Sequence, residues 1–461
     1  MFVGRKKEIA YLKEQFESEG RCAVLVYGKR RVGKSTLISQ AAAGQGCAVI
    51  NFLCVQSSYR GNMELLSRCI CQCLGLPQVR FDTIMDVFAF LGSLKKKIIL
   101  VLDEYQYLKN SGTKGEVDSY MQAVIDSLPP SVKLVLCGSY ISVMKELLEE
   151  GNPLFGRFSG VVHLREMDYF DASGFYKDAS VYHKIENYAL FGGSPYVLSV
   201  IDPYADIREI IEKLLLPETG ILHIYIENVM LKEIQKAYDV RILQVLGNGK
   251  KKYSEIKSFM DASDNGLLDK QLKNLISMET ISKASPINRV NDSRKQFYSI
   301  NDNLMRLYFT YVFANDGIIR TLGEKNFYDQ YMDKSIKEFI ARRFEDIARQ
   351  YLHRLIVNGS IKGARNLGSL WYDNAATHTN GEFDCVLERE AGYDFYECKF
   401  YDHAMSRAEC LKEAEQIRGL DSLSIHSIGF ICTGGFDFES DEYSLINADE
   451  MFASELDDIV G

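Results

Sequence analysis

Short runs of nearly unbroken apolar residues punctuate the first third of the chain: Ala23 to Tyr27, Ala48 to Leu53, Ile98 to Leu102 and Val132 to Cys137. Such runs suit strands that are covered on both faces. Ahead of them, Glu8 to Leu12 repeats apolar positions at helical spacing, and between them Thr36 to Ala43 and Met63 to Leu74 read as helices. Gly160 to Leu164 adds one more strand. Strands alternating with helices predict a parallel sheet, with ligands at the carboxyl ends of its strands.

The pattern then changes twice. From Asp168 to about Ile234 it is helical throughout, broken only at Phe191-Gly192-Gly193-Ser194-Pro195-Tyr196, which predicts a helical lid. Val240 to Leu246, Tyr253 to Met260 and Leu267 to Met278 are three short helices, followed by strands at Thr280 to Lys283 and Lys295 to Ile300. That order is the winged-helix plan, with residues 266–277 in the recognition position. Lys250, Lys251, Lys252, Lys270 and Lys273 offer positive charge for phosphates, diluted by Asp261, Asp264 and Asp269. Beyond the aromatic segment Leu304 to Phe313, an amphipathic helix from Ile336 to Leu352 opens a last unit. Its strands are Gly381 to Leu387 and Tyr393 to Phe400, and a helix, Ser406 to Ile417, follows.

Candidate chemistry appears at the first strand end. Gly28-Lys29-Arg30-Arg31-Val32-Gly33-Lys34-Ser35-Thr36 satisfies G-x-x-x-x-G-K-[ST] at every defined position, between a strand and a helix as the motif requires. Its amides and the positive end of the helix can surround a polyphosphate, Lys34 can reach the terminal phosphates, and the Ser35 hydroxyl can hold magnesium. The strand ending at Asp103-Glu104 supplies an acid for the metal shell, Asp103, and one for the attacking water, Glu104. Ser139, after the strand Ser131 to Gly138, is a candidate contact for the γ-phosphate or the water. Arg157 is a candidate for stabilising charge on the transferred phosphoryl group, with a surface ion pair as the alternative.

In the last unit, Asp384 lies on one strand and Glu397 and Lys399 on the next. Residues two apart along a strand share a face, so these groups are expected together. Two carboxylates can hold a hard cation through oxygen, and a lysine can position the attacking water. Glu345, on the preceding helix, would complete a metal set with Asp384 and Glu397.

Composition narrows the setting only slightly. Among 461 residues the net charge is -9, which argues against a chain coated in phosphate contacts but permits a local basic face. Eleven cysteines occur without a Cys-x-x-Cys pair, and the first residues lack an apolar leader segment, so reduced thiols in the cytoplasm are expected. No stretch approaches the roughly 20 apolar residues of a spanning helix, so no membrane partner is expected.

Taken in order, Phe2-Val3-Gly4-Arg5, the phosphate loop, Asp103-Glu104-Tyr105-Gln106, Cys137-Gly138-Ser139, Gly156-Arg157 and Gly192-Gly193-Ser194-Pro195-Tyr196 resemble the archaeal-type P-loop ATPases, a branch of the STAND group of AAA-like NTPases. The resemblance covers nearly the whole chain. It implies ATP binding and hydrolysis with Mg²⁺. Many members end in a domain of unassigned function with a nuclease-like core, and Asp384, Glu397 and Lys399 are similar to the PD-(D/E)XK restriction-endonuclease constellation. Trp371-Tyr372-Asp373-Asn374 is a partial echo of the family's aromatic-rich run. The expected fold class is therefore α/β: a P-loop ATPase core at 1–165, a helical lid at 166–236, a winged helix at 237–312 and a restriction-endonuclease-like domain at 313–461. Two functions compete. One is a nucleotide switch coupled to a nuclease acting on nucleic acid; the other is an ATP-dependent scaffold or sensor that binds DNA or protein without cutting. A protein partner or a homo-oligomer stays open.

Overall fold

The computed structural model describes residues 2–231, 238–261, 266–290, 292–374, 379–420, 423–453 and 456. Asp264 and the end of the helical stretch at Ile234 lie outside them. The chain forms two units, Met1–Glu166 and Met167–Gly461.

The first unit holds β1 (Cys22–Tyr27), β2 (Ala48–Leu53), β3 (Ile98–Asp103), β4 (Val132–Gly138) and β5 (Gly160–His163). They form one parallel sheet in the order β2-β3-β4-β1-β5. The apolar runs are continuous because both faces are covered. Ala23, Leu25 and Tyr27 pack against the helices Tyr59–Leu74, Ile84–Ser93 and Glu116–Asp126, whereas Val24 and Val26 pack against Lys6–Glu17 and Lys34–Ala42. Alternation along a single strand thus feeds two cores. The late strand β4 is inserted between β1 and β3, so Gly138-Ser139 lies between the phosphate loop and the two acids at the carboxyl edge.

The second unit begins with helices. Val181–Phe191 ends where Gly192 stands, and Pro195, in the first turn of Pro195–Val200, starts the next with its φ already helical. The helices Arg241–Gly247, Tyr253–Met260 and Leu267–Ser277 then accompany an antiparallel sheet of β6 (Lys251–Lys252), β7 (Ile281–Ala284) and β8 (Phe297–Ile300), in the order β6-β8-β7. This is a winged-helix arrangement.

The C-terminal sheet contains β9 (Asn366–Asn374), β10 (Thr379–Arg389), β11 (Gly392–Lys399), β12 (Ile425–Cys432) and β13 (Ser444–Asn447). Its order is β13-β12-β11-β10-β9; β9, β10 and β11 run antiparallel, and β11, β12 and β13 parallel. The 22-residue helix Ile336–Val357 packs on it through Phe344, Ile347, Ala348, Tyr351 and Leu352, which are three or four positions apart and buried. One apolar core runs through the helices, the winged helix and this sheet. Among the described residues no helix is long and apolar enough to cross a membrane.

Candidate functional site

The phosphate loop leaves β1 at Gly28, where a Cβ would come within 2.0 Å of the Leu164 carbonyl oxygen. Only glycine permits that approach. Gly33, at φ 94°, caps the helix Lys34–Ala42 in the left-handed conformation. Lys34 is 6 % exposed. Its ammonium donates to the carbonyls of Gly28, at 2.9 Å, and Lys29, at 2.8 Å, so it stands inside the curve of the loop.

The acids arrive from β3. The Ser35 hydroxyl donates to Asp103 Oδ2 at 2.6 Å, and Asp103 Oδ1 accepts from the Glu104 amide at 2.9 Å. Glu104 adopts a left-handed conformation, φ 51°, which turns its side chain out of the strand direction. Ser139 donates to Glu104 Oε2 at 2.7 Å, and Gln106 Nε2 donates to the same oxygen. Arg30 donates to Tyr107 Oη at 3.1 Å and lies 5.5 Å from the centre of the Tyr140 ring. Lys34, Ser35, Asp103, Glu104 and Ser139 are therefore assembled at one edge of the sheet. Gln106, fully buried, entered the sequence reading only as part of the segment Asp103-Glu104-Tyr105-Gln106 and was given no role; its place two residues after Glu104, on the short helix Tyr105–Lys109, is what makes it a partner.

Arg157 does not join them. It precedes Gly160, which pairs with Val24 near the start of β1, and the Ser159 amide donates to the Ala23 carbonyl at 2.8 Å. Because β1 and β5 are parallel, Arg157 sits at the amino edge, whereas the loop follows Tyr27 at the carboxyl edge. Its Nε is 3.1 Å from Asp126 Oδ1. The expectation of an arginine acting on the phosphoryl group is corrected: Arg157 makes the surface ion pair.

In the C-terminal sheet, Phe383 faces Leu370 and Val386 faces Gly368, so Asp384 and Cys385 together stand opposite Ser369 alone. This bulge re-aims Asp384. Arg349, from the helix Ile336–Val357, donates to the Asp384 carbonyl and also pairs with Asp346. Burial, and after it the charge of Asp384, pushes the Glu345 carboxyl up to about 8. Burial also raises Glu397, a rise opposed by Lys399. Lys399 bridges Glu397 Oε1 at 2.8 Å and Glu413 Oε1 at 3.1 Å.

Glu345, Asp384, Glu397 and Lys399 thus share one neighbourhood, but the expected metal set does not close. Among the described residues no three acidic, histidine or cysteine side chains are grouped to hold a metal ion. Cations of the chain itself stand there instead: Lys399 on Glu397, and Lys250, from the winged helix, 2.7 Å from Glu382 and 3.4 Å from Asp384. Glu413 is a participant the sequence reading missed, Glu382 was given no role there, and Lys250, expected to contact phosphates, pairs with these acids instead. Glu382 was legible two positions before Asp384, but the partnership with Lys250 joins residues 132 positions apart.

Residues 2–201 match a family described as an ATPase domain predominantly from Archaea, and residues 308–415 match a family of archaeal and bacterial proteins of unknown function. An uncharacterized protein of Methanocaldococcus jannaschii is 27% identical over 360 residues, covering 77% of this chain and 78% of that one. Among solved structures, the Walker-type ATPase of Pyrococcus abyssi superposes with a TM-score of 0.50 at 19% identity, covering 67% of this chain and 96% of its own. The ORC2 protein of Aeropyrum pernix, solved as ADPNP and ADP complexes, has a TM-score of 0.46 at 14% identity, covering 69% of this chain and 94% of its own.

Proposed function

We propose that this chain, built on an ATPase domain of the archaeal type, binds and hydrolyses ATP with Mg²⁺, and that its nucleotide state controls a nuclease-like C-terminal domain acting on nucleic acid. The observation that carries the first part is the 2.6 Å bond from Ser35 to Asp103 beside a Glu104 oriented by Ser139 and Gln106. The loop amides of residues 28–36 and Lys34 suit the phosphates. Ser35 and Asp103 are an oxygen pair of the kind Mg²⁺ takes, and the ion would neutralise charge on the β- and γ-phosphates. Glu104 accepts a proton from the attacking water as its oxygen bonds to the γ-phosphorus. The bond from that phosphorus to the β,γ-bridging oxygen breaks, leaving ADP and phosphate.

For the second part, support comes from the convergence of Asp384, Glu397 and Lys399 and from exposed Lys270 and Lys273 on the helix Leu267–Ser277. Metal-dependent cleavage of DNA by the full chain, compared with Asp384→Ala and Lys399→Ala, tests it. Cleavage that both substitutions abolish supports the nuclease; no cleavage by the native chain with any divalent metal or nucleotide removes it.

The second reading, an ATP-dependent scaffold or sensor binding DNA or protein without cleavage, is favoured by one observation. Lys250, from outside the nuclease-like constellation, already neutralises Asp384 and Glu382, acids on which a cutting centre would depend.

A further inference from the structure

Lys250 ends the turn that joins the helix Arg241–Gly247 to β6. The turn is fastened on both sides. Thr310 Oγ1 donates to the Gly247 carbonyl at 2.7 Å, and β6 pairs with β8 at Lys251–Tyr298 and Lys252–Phe297. The Lys250 ammonium also lies 5.5 Å from the centre of the Phe297 ring. It therefore reaches Glu382 and Asp384 from a fixed platform rather than as a wandering surface chain.

The turn borders a cleft of about 720 Å³ that also holds Glu345, Glu382 and Asp384. Its arginines pair with carboxylates other than that of Asp384, although Arg349 also donates to the Asp384 backbone carbonyl. Arg306 and Arg343 reach Asp346 at 3.6 and 3.2 Å, Arg349 pairs with Asp346 too, and Arg342 holds Glu338 at 2.5 Å. Lys250 is thus the described ammonium seated on Asp384, at the oxygens where the nuclease reading would place a divalent ion. Two cations cannot share those oxygens without strong repulsion.

We infer that Lys250 is the built-in cation of the C-terminal acid cluster, so that docking of the winged-helix turn and binding of a divalent cation at Asp384 exclude one another. The inference rests on the nuclease-like reading of these acids and supplies its gate: the acids can take a metal only when the turn carrying Lys250 withdraws. Glu382 belongs to the cluster as the second carboxylate that the ammonium bridges.

The test uses Mn²⁺ alone, titrated into the full chain without nucleotide and followed by the paramagnetic resonance of the free ion. Lys250→Met, or Lys250→Gln should the first fold poorly, is expected to bind one Mn²⁺ at least about tenfold more tightly than the native chain, in the range of ordinary site coupling. Asp384→Asn added to either variant should remove that gain, and Lys250→Arg should behave as native. Equal Mn²⁺ binding by native chain and variant, or a gain that survives Asp384→Asn, overturns the gate. A gain in Mn²⁺ without DNA cleavage leaves the gate standing and removes the nuclease.

Discussion

The Ser35 hydroxyl, in the first turn of the helix after β1, bonds to Asp103 Oδ2 at the end of β3 at 2.6 Å although β4 lies between those two strands, which ties the phosphate loop to the acidic strand end before any nucleotide is added. A charge-assisted bond of this kind contributes roughly 1.5–3 kcal/mol. Asp103→Asn should lower the rate of phosphate release by about 10²- to 10³-fold and weaken its dependence on Mg²⁺. Release measured across a Mg²⁺ titration checks this, and an unchanged rate refutes the assignment of Asp103 to the metal.

Glu104 is oriented by Ser139 and Gln106 at a single carboxylate oxygen. Glu104→Gln should retain ATP binding while slowing turnover about 10²- to 10⁴-fold, the usual range for a general base. Calorimetric binding and single-turnover hydrolysis, run together, separate the two effects. Lys34→Ala should lose binding itself, since its ammonium stands inside the loop.

Arg157 sits at the amino edge of the sheet with Asp126, both partly exposed. Arg157→Ala should therefore leave ATP turnover within about twofold of native and cost at most about 1 kcal/mol of stability, as surface pairs do. A steady-state rate with a urea titration measures both. A loss of turnover of a hundredfold in a stably folded variant would show that Arg157 reaches the phosphates after all.

Glu345 has its carboxyl pushed up to about 8 by burial and by Asp384, against 4.5 for the free side chain. The folded state then holds a proton that the unfolded chain releases. Its stabilising contribution is complete below about pH 4.5, declines as pH rises, and is gone above about 8. Glu345→Gln should thus gain thermal stability over native as the pH is taken from 5 to 8.5. Melting temperatures of both proteins at several pH values decide it; a constant difference contradicts the shift.

What could be read from the chain alone was what lies close along it. The phosphate loop, the acids at the end of β3 and the serine after β4 are contiguous motifs at the ends of apolar runs. The rule that ligands sit at the carboxyl edge then gathers them without knowledge of strand order. Arg157 failed although the signal was there: a residue that precedes a strand of a parallel sheet stands at the amino edge, away from the phosphate loop. The five-stranded parallel sheet follows from the same periodicity, whereas of the C-terminal sheet only β10 and β11 were read and β9, β12 and β13 were not. At the C-terminal acids, Asp384 was placed on a regular strand, and the step at Asp384-Cys385 breaks that regularity. Lys250 was legible only as one of five lysines offered for phosphate contact, because its partners are fixed by the packing of two distant segments.

The step in β10 also changes how this domain can be aligned with others. One extra residue shifts the parity of everything beyond it, so odd and even positions trade faces between Phe383 and Val386. If a relative lacks that residue, matching the two chains by spacing alone sets the carboxylate of one against the buried thiol of the other. Homologous acids in this domain are found by following the ladder pairing, not by counting along the polypeptide.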